Sequence, residues 1–208
     1  MHREVLTEPA SLLFPSLSRF PGFYLAGGTA LALQIGHRVS VDFDLFSDDP
    51  IDRTLLSQVR RLFGGTSEIA PLVNNAEELT VLVNGVKITF LRYPFPPHAP
   101  FVIYENVPLL SIPEIATTKA YTLGRRGSYK GYVDLYFVIA EGYTTLLDII
   151  TGAEKKFESE FNSRLFLEQL VYLSDLDDIE IQFIKPTITP QAIQRFFEER
   201  IKEIADEL

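Results

Sequence analysis

The chain has 208 residues, and its composition of 46% hydrophobic and 12% aromatic residues indicates a globular protein rather than a disordered one. It contains no cysteine, which excludes disulfides, thiolate zinc sites and cysteine nucleophiles. The formal net charge of −9 argues against a protein that coats nucleic acid through its phosphates, although it permits a local basic cleft. The sequence predicts neither a signal peptide nor a transmembrane helix, so we expect a cytoplasmic protein with no membrane partner.

The first distinctive stretch begins with an apolar strand that runs into a diglycine and then a short helix. Gly27 and Gly28 allow a close approach of the backbone, and Thr29 is expected to cap the helix that Gly36 ends. The N–H groups at the start of such a helix favour a bound phosphate. We therefore expect Gly27, Gly28 and Thr29 to bind the phosphates of a nucleotide.

A second strand is predicted at residues 41–46. Because side chains alternate along a strand, Asp42 and Asp44 are expected on one face, with Val41, Phe43 and Leu45 buried on the other. Two adjacent carboxylates repel each other unless a cation lies between them, and oxygen ligands favour Mg²⁺ or Mn²⁺. The sequence thus predicts a divalent-metal site beside a phosphate site, an arrangement that serves phosphoryl or nucleotidyl transfer.

These two stretches together resemble the first motif of the AbiEii/AbiGii toxin family. The resemblance lies in Gly-Gly-Thr-Ala-Leu at residues 27–31 and in Gly-His-Arg-x-Ser-x-Asp-x-Asp-Leu-Phe at residues 36–46. That family belongs to the nucleotidyltransferase superfamily, whose catalytic core is similar to that of DNA polymerase beta. The resemblance implies an α/β (α+β) nucleotidyltransferase fold, a mixed twisted sheet flanked by helices, with a helical C-terminal part.

Three polar residues between the helix and the acidic strand are further candidates for nucleotide binding: His37, Arg38 and Ser40. Each also has a structural interpretation. Arg38 could pair with one of the two acids, His37 could be satisfied by the backbone, and Ser40 could simply begin the strand.

A hairpin follows, in which Asn84-Gly85 predicts a tight turn between antiparallel strands at residues 79–83 and 86–91. Lys87 and Thr89 share one face of the second strand, which we take to be the face of the site. The superfamily has a third carboxylate on this strand, and Thr89 occupies the matching position. A neutral hydroxyl binds a cation far more weakly than a carboxylate, so this departure argues against full two-metal catalysis. It remains compatible with one metal held by Asp42, Asp44 and the triphosphate.

A second block of the chain carries cations on two predicted helices, the first of which begins at Ser111 and runs to about residue 125. The block resembles a family pattern in which a helical lysine precedes an arginine and a Lys-Asp-x-x-Asp-Leu-Tyr run. The resemblance assigns Lys119 and Asp134 to catalysis and Arg126 and Lys130 to nucleotide binding. A solvated helix face for the cations, and an i, i+4 pair between Lys130 and Asp134, are the structural alternatives.

One position of this second block departs from the family pattern, because Gly131 replaces the first Asp of the run. Farther along, the sequence predicts helices at residues 144–150, 154–173 and 191–208. We divide the chain into a nucleotidyltransferase core, residues 1–110, and a helical part, residues 111–208, that is expected to contribute basic residues to the cleft.

The resemblance implies an Mg²⁺- or Mn²⁺-dependent nucleotidyltransferase that moves a nucleoside monophosphate from an NTP to a hydroxyl. The acceptor would be RNA, with a tRNA 3′ end as one candidate, or a protein side chain, and the enzyme would be a toxin with an antitoxin protein as partner. Two alternatives stay open: a phosphoryl transferase on the same fold, and an interaction module that binds nucleotide without turnover. Thr89 and Gly131 motivate the second alternative.

Overall fold

The chain divides into two units in its computed structural model: unit 1 spans Met1–Ser111 and unit 2 spans Ile112–Leu208. The residues that the structure describes are 1–65, 68–125, 128–173 and 180–205. Strands occur in unit 1 and helices in both units, which confirms the mixed α/β fold class.

Unit 1 is built on a mixed sheet that has seven strands among the described residues, in the order β3-β4-β5-β2-β1-β7-β6. The pairs β2–β5 and β1–β7 are parallel, and the other neighbouring strands are antiparallel. The strands are β1 Tyr24–Ala26, β2 Phe43–Ser47, β3 Ile69–Asn74, β4 Glu78–Val83, β5 Val86–Arg92, β6 Val102–Tyr104 and β7 Val107–Leu109.

The β4–β5 hairpin forms where the Asn-Gly pair predicts it. Asn84 and Gly85 have φ angles of 50° and 80°, the left-handed conformation that a two-residue hairpin turn requires, and Val83 pairs with Val86. Side chains of β5 then alternate, so that Val86, Ile88 and Phe90 are buried. Lys87 and Thr89 lie on the opposite face, as the sequence predicts.

Among its described residues unit 1 has three α-helices: α1 Glu8–Leu13, α2 Gly27–Ile35 and α3 Leu55–Phe63. Helix α2 packs on β1 and β2, and most of its residues are buried. Burying an apolar side chain such as Leu31 contributes about 2 kcal/mol, so this packing holds the start of α2 firmly at the end of β1. Gly36 ends the helix with a φ of 67°, as expected for a glycine C-cap.

Unit 2 consists of helices among its described residues: α4 Ile112–Leu123, α5 Tyr129–Ala140, α6 Leu146–Phe157, α7 Ser163–Leu170 and α8 Pro190–Ile204. The prediction of one long helix at residues 154–173 is wrong. Glu158 adopts a φ of 49°, which ends α6, and the Asn162 side chain caps a new helix by accepting from the backbone N–H of Leu165. No helix in the described ranges is both long and apolar enough to cross a membrane.

Candidate active site

The start of α2 differs from the sequence prediction at Thr29. The helix begins at Gly27, three residues before the Ala30 start that a cap at Thr29 would give, and its N-cap is Ala26. The φ of Gly27, 66°, lets the chain turn directly out of β1, which explains the earlier start. Thr29 is instead buried in the first turn, where its hydroxyl bonds to Ser40 Oγ at 2.7 Å and donates to the carbonyl oxygen of Asp42. Thr29 therefore fixes the segment that carries the first acid.

Asp44 lies directly against the beginning of α2. It pairs with Ala26 across β1 and β2, and a Cβ added at Gly27 would lie only 2.6 Å from Asp44 Oδ2. Along β2, Asp44 faces away from the buried Phe43 and Leu45, which confirms the predicted alternation. The carboxylate and the positive end of the helix dipole therefore meet at a place that only glycine can occupy.

Asp42 precedes β2 rather than belonging to it, so the predicted strand begins too early. The reason is that Ser40 pairs with the N-terminal segment, its N–H donating to the carbonyl of Val5 at 2.9 Å, and not with the neighbouring strands. Val41, predicted to be buried, is 44% exposed for the same reason. Asp42 Oδ2 lies 3.2 Å from Lys87 Nζ, in an ion pair that sequence analysis missed.

Thr89 is the direct neighbour of Asp44 in the parallel pairing of β2 with β5. The position of the missing third carboxylate is thus next to the second acid, as expected. The Thr89 hydroxyl lies 3.3 Å from that of Thr80 on β4, and the Thr80 hydroxyl is 2.5 Å from Glu78 Oε1. A row of hydroxyls therefore continues the polar face from Asp44 toward Glu78.

The acids have the chemistry that a hard divalent cation needs. Among the described residues no group of three or more His, Cys, Asp or Glu side chains forms a complete metal site. Asp42 and Asp44 are both partly exposed, and the bare Cα of Gly27 leaves room for the Asp44 carboxylate. Two carboxylates with access to solvent fit Mg²⁺ or Mn²⁺ when phosphate oxygens and water complete the coordination.

The remaining candidates of unit 1 are less accessible than the acids. His37, Arg38 and Ser40 are all buried, and Arg38 donates to the carbonyl oxygen of Val39 at 3.1 Å. These contacts support the segment before β2, while direct phosphate binding by the three residues stays a prediction. Gly28, the second residue of α2, is half-buried.

In unit 2, Lys119 and Asp134 form an ion pair between α4 and α5. Lys119 Nζ lies 2.5 Å from Asp134 Oδ2, and the two side chains are 15% and 0% exposed. This contact allows Asp134 to orient the Lys119 ammonium. Lys130 lies in the first turn of α5, and Arg126 is outside the described residues.

The remaining departure, Gly131, lies in the first turn of α5, where its N–H donates to Ser128 Oγ at 3.3 Å. A Cβ at this position would make only ordinary contacts, of which the shortest is 3.5 Å to Ser128 Oγ. The backbone geometry therefore does not require glycine here, in contrast to Gly27.

Comparison with protein families decides the identity that these motifs suggest. A family model described as the nucleotidyl transferase AbiEii toxin of type IV toxin–antitoxin systems matches residues 12–207. The chain belongs to the AbiEii family. Membership confirms the resemblance seen in the motifs and makes the AbiEii chain an enzyme of the nucleotidyltransferase class. It implies, in general terms, an NTP substrate and an antitoxin partner.

Individual proteins are also similar to this chain. An uncharacterised protein of Aquifex aeolicus (strain VF5) is 30% identical to the AbiEii chain over 192 residues, which cover 87% of each protein. A Helicobacter pylori protein whose proposed activity is nucleotidyl transfer superposes with a TM-score of 0.57 at 17% identity, covering 97% of this chain and 99% of the other. MenT4, a nucleotidyltransferase toxin of Mycobacterium tuberculosis H37Rv, gives 0.56 at 16% identity, covering 88% and 75%. At these identities the two solved structures show a shared fold.

Proposed function

We propose that the AbiEii chain is a divalent-metal-dependent nucleotidyltransferase that moves a nucleoside monophosphate from an NTP to a hydroxyl group. One observation carries this proposal: Asp44 Oδ2 lies against the bare Cα of Gly27, where α2 begins. A carboxylate that can hold a metal and a helix start that attracts phosphate are therefore adjacent. Nucleotidyl transfer requires both, because the metal and the phosphates it binds must be held together.

In unit 1, Asp42 and Asp44 would hold Mg²⁺ or Mn²⁺. The bound metal supplies charge neutralisation at the phosphates and so makes the α-phosphorus easier to attack. Gly27 and Gly28 present backbone N–H groups to the phosphates, and Thr29 keeps Asp42 in place through its hydrogen bond to the Asp42 carbonyl. The unit 1 residues thus bind and orient the triphosphate.

In unit 2, Lys119 is the proposed catalytic cation, supported by Arg126 and Lys130. The acceptor oxygen bonds to the α-phosphorus, the bond from that phosphorus to the β-phosphate oxygen breaks, and the hydroxyl proton passes to solvent. Cations stabilise the negative charge that develops on the departing pyrophosphate. The buried Asp134 supports this role because it fixes the position of the Lys119 ammonium.

The acceptor hydroxyl that we propose lies on RNA, with a tRNA 3′ end as the first candidate, and a protein side chain as the second. As a toxin of a type IV system, the enzyme would be opposed by an antitoxin protein. The acidic net charge of −9 favours an acceptor that is held locally at its end over one that is bound along its length.

The test is incubation of the protein with Mg²⁺ or Mn²⁺, each α-labelled NTP in turn, and either purified tRNA or RNA-free cell extract. We expect label on one acceptor class, and no label with Asp44→Asn. The exposed Asp49, which follows the strand, provides a matched control, because Asp49→Asn removes the same charge outside the proposed metal site.

Two other outcomes would contradict the proposal, and each would support one of the alternative functions. Transfer of a γ-label without transfer of the α-label would establish a phosphoryl transferase. Metal-dependent NTP binding with neither label transferred would establish an interaction module, the alternative that Thr89 motivates.

A further inference from the structure

Lys87 is a charged residue at the acidic site to which the proposed reaction assigns no role. It lies on β5 two residues before Thr89, on the same face, and its ammonium is 3.2 Å from Asp42 Oδ2. The Lys87 and Asp42 side chains are 42% and 39% exposed. Exposed ion pairs contribute little to folding stability, so the pair does not serve mainly to hold the fold.

The surroundings of Lys87 lack what a second divalent ion would need. Thr89, the neighbour of Asp44, contributes no charge, and its hydroxyl lies 3.3 Å from the Thr80 hydroxyl. Asp42 already has one carboxylate oxygen in contact with the Lys87 ammonium. A second divalent ion needs its own set of protein oxygen ligands, and the Thr89 hydroxyl and the remaining Asp42 oxygen are a weaker set than a third carboxylate would provide.

We propose that Lys87 is the second cation of this site. The AbiEii chain then uses one divalent ion, and the Lys87 ammonium supplies, beside Asp42, the positive charge that a second ion would bring. Lys87 stabilises negative charge on the acceptor oxygen during attack, and its contact with Asp42 holds the ammonium in place for this task. Its contribution is electrostatic, and no proton or group is transferred to it. This inference rests on the proposed function and specifies how the same site works.

Lys87 should lower the affinity of the site for its divalent ion. A lysine that competes with a metal for Asp42 weakens metal affinity, because like charges repel. Lys87→Met should therefore tighten Mn²⁺ binding, by about tenfold, while it lowers kcat by about 100-fold. If Lys87 only held Asp42 in place, Lys87→Met would change the Mn²⁺ affinity in the opposite direction. Asp42 would then be free to move, and Mn²⁺ would bind more weakly.

The experiment counts Mn²⁺ ions bound per chain by electron paramagnetic resonance, with a non-hydrolysable NTP analogue present, for four proteins. We expect one ion for the wild type, one for Thr89→Asp, one for Lys87→Met, and two for the Lys87→Met/Thr89→Asp double variant. The double variant gains an ion because it has a third carboxylate and an unoccupied Asp42 oxygen. Lys155→Met, at an exposed lysine of α6, is the control and should leave stoichiometry and kcat unchanged.

Any other Mn²⁺ stoichiometry or kcat contradicts either the role of Lys87 or the proposed function. Two ions in the wild type or in Thr89→Asp would overturn the inference, as would one ion in the double variant or an unchanged kcat in Lys87→Met. No Mn²⁺ bound to the wild type would instead refute the proposed function. Because the wild type and Thr89→Asp retain Lys87, their stoichiometry decides the question even if the Lys87 variants fail to fold.

Discussion

The Lys119 ammonium and the Asp134 carboxylate are in direct contact, 2.5 Å apart, with the carboxylate completely shielded from solvent. A buried carboxylate destabilises the fold unless it is paired with a cation. Asp134 therefore needs Lys119 for stability, and in turn it orients the Lys119 ammonium. The ion pair also restricts the rotation of the Lys119 side chain, which an exposed lysine would keep. Lys119, the more accessible of the two residues, is therefore held in a defined position.

Asp134→Asn tests this relationship. The variant keeps the shape of the side chain but loses its charge, so it should destabilise the fold by about 3–5 kcal/mol and lower nucleotidyl transfer through a mobile Lys119. Thermal unfolding and the labelled-NTP assay measure the two effects. Glu141→Gln, which breaks the more exposed pair with Lys185, is the control and should cost about 1 kcal/mol or less. Full activity in Asp134→Asn would contradict the orienting role.

Gly27→Ala should inactivate the enzyme. The φ of Gly27 is 66°, which costs an alanine about 1–2 kcal/mol, and the added Cβ would lie 2.6 Å from Asp44 Oδ2. Asp44 must then move, so Mn²⁺ affinity should fall together with activity. Calorimetric titration of Mn²⁺ checks this, and retained affinity in Gly27→Ala would show that Asp44 is not a metal ligand.

Gly131→Ala provides the matched glycine control, because Gly131 is helical and a Cβ there would meet its neighbours at 3.5–3.8 Å, ordinary contact distances. Replacement of a helical glycine by alanine should stabilise the fold by up to about 1 kcal/mol. We expect nucleotidyl transfer to be unchanged. A loss of activity would show that the departure from the family pattern at this position has a functional reason.

The sequence alone predicts those features that are determined by residues close together in the chain. Asn84-Gly85 favours left-handed backbone angles, and the predicted hairpin turn is confirmed there. The helix predicted from residue 191 begins at Pro190, because Pro190 has a fixed φ and the Thr189 side chain caps the first turn. The alternation of Asp44 against Phe43 and Leu45 was predicted because one face of β2 is buried.

The errors arose where distant contacts override local preference. Thr29 resembles a helix cap, yet its hydroxyl bonds eleven residues away at Ser40, because Gly27 had already begun the helix. Val41 was placed in a strand because nothing local indicates that Ser40 pairs with the N-terminal segment. The ion pair between Lys87 and Asp42 joins residues that are 45 positions apart in the chain. The feature of the sequence that indicates it is that Lys87 lies on the same face of β5 as Thr89.

Alkaline pH should destabilise the fold through Tyr132. Burial raises the pKa of Tyr132 to about 12, and its hydroxyl donates to the carbonyl oxygen of Gln169 at 2.8 Å. The unfolded chain loses this proton near pH 10, so between about pH 10 and 12 the unfolded state binds fewer protons and stability falls as pH rises. Denaturant unfolding at successive pH values measures the slope.

Tyr132→Phe should flatten that part of the pH profile. At neutral pH the same variant should lose about 1 kcal/mol, because the buried hydrogen bond from the Tyr132 hydroxyl to the Gln169 carbonyl is lost. Tyr143→Phe, at an exposed tyrosine, should leave the slope as it is in the wild type. An unchanged slope in Tyr132→Phe would mean that Tyr132 does not account for the alkaline loss.

Glu114 and Lys156 form a second buried ion pair, between α4 and α6, with Lys156 Nζ 2.6 Å from Glu114 Oε2 and both side chains nearly inaccessible. Because each charge needs the other, Lys156→Met or Glu114→Leu alone should destabilise the fold by about 3–5 kcal/mol. The double variant Glu114→Leu/Lys156→Met leaves no unpaired charge and should be close to the wild type in stability. Additive losses in a double-mutant cycle would show that the two charges do not depend on each other. Helix α4 also carries Lys119, so the double variant separates an effect on stability from an effect on activity. If stability is restored while nucleotidyl transfer stays reduced, the ion pair also sets the position of α4.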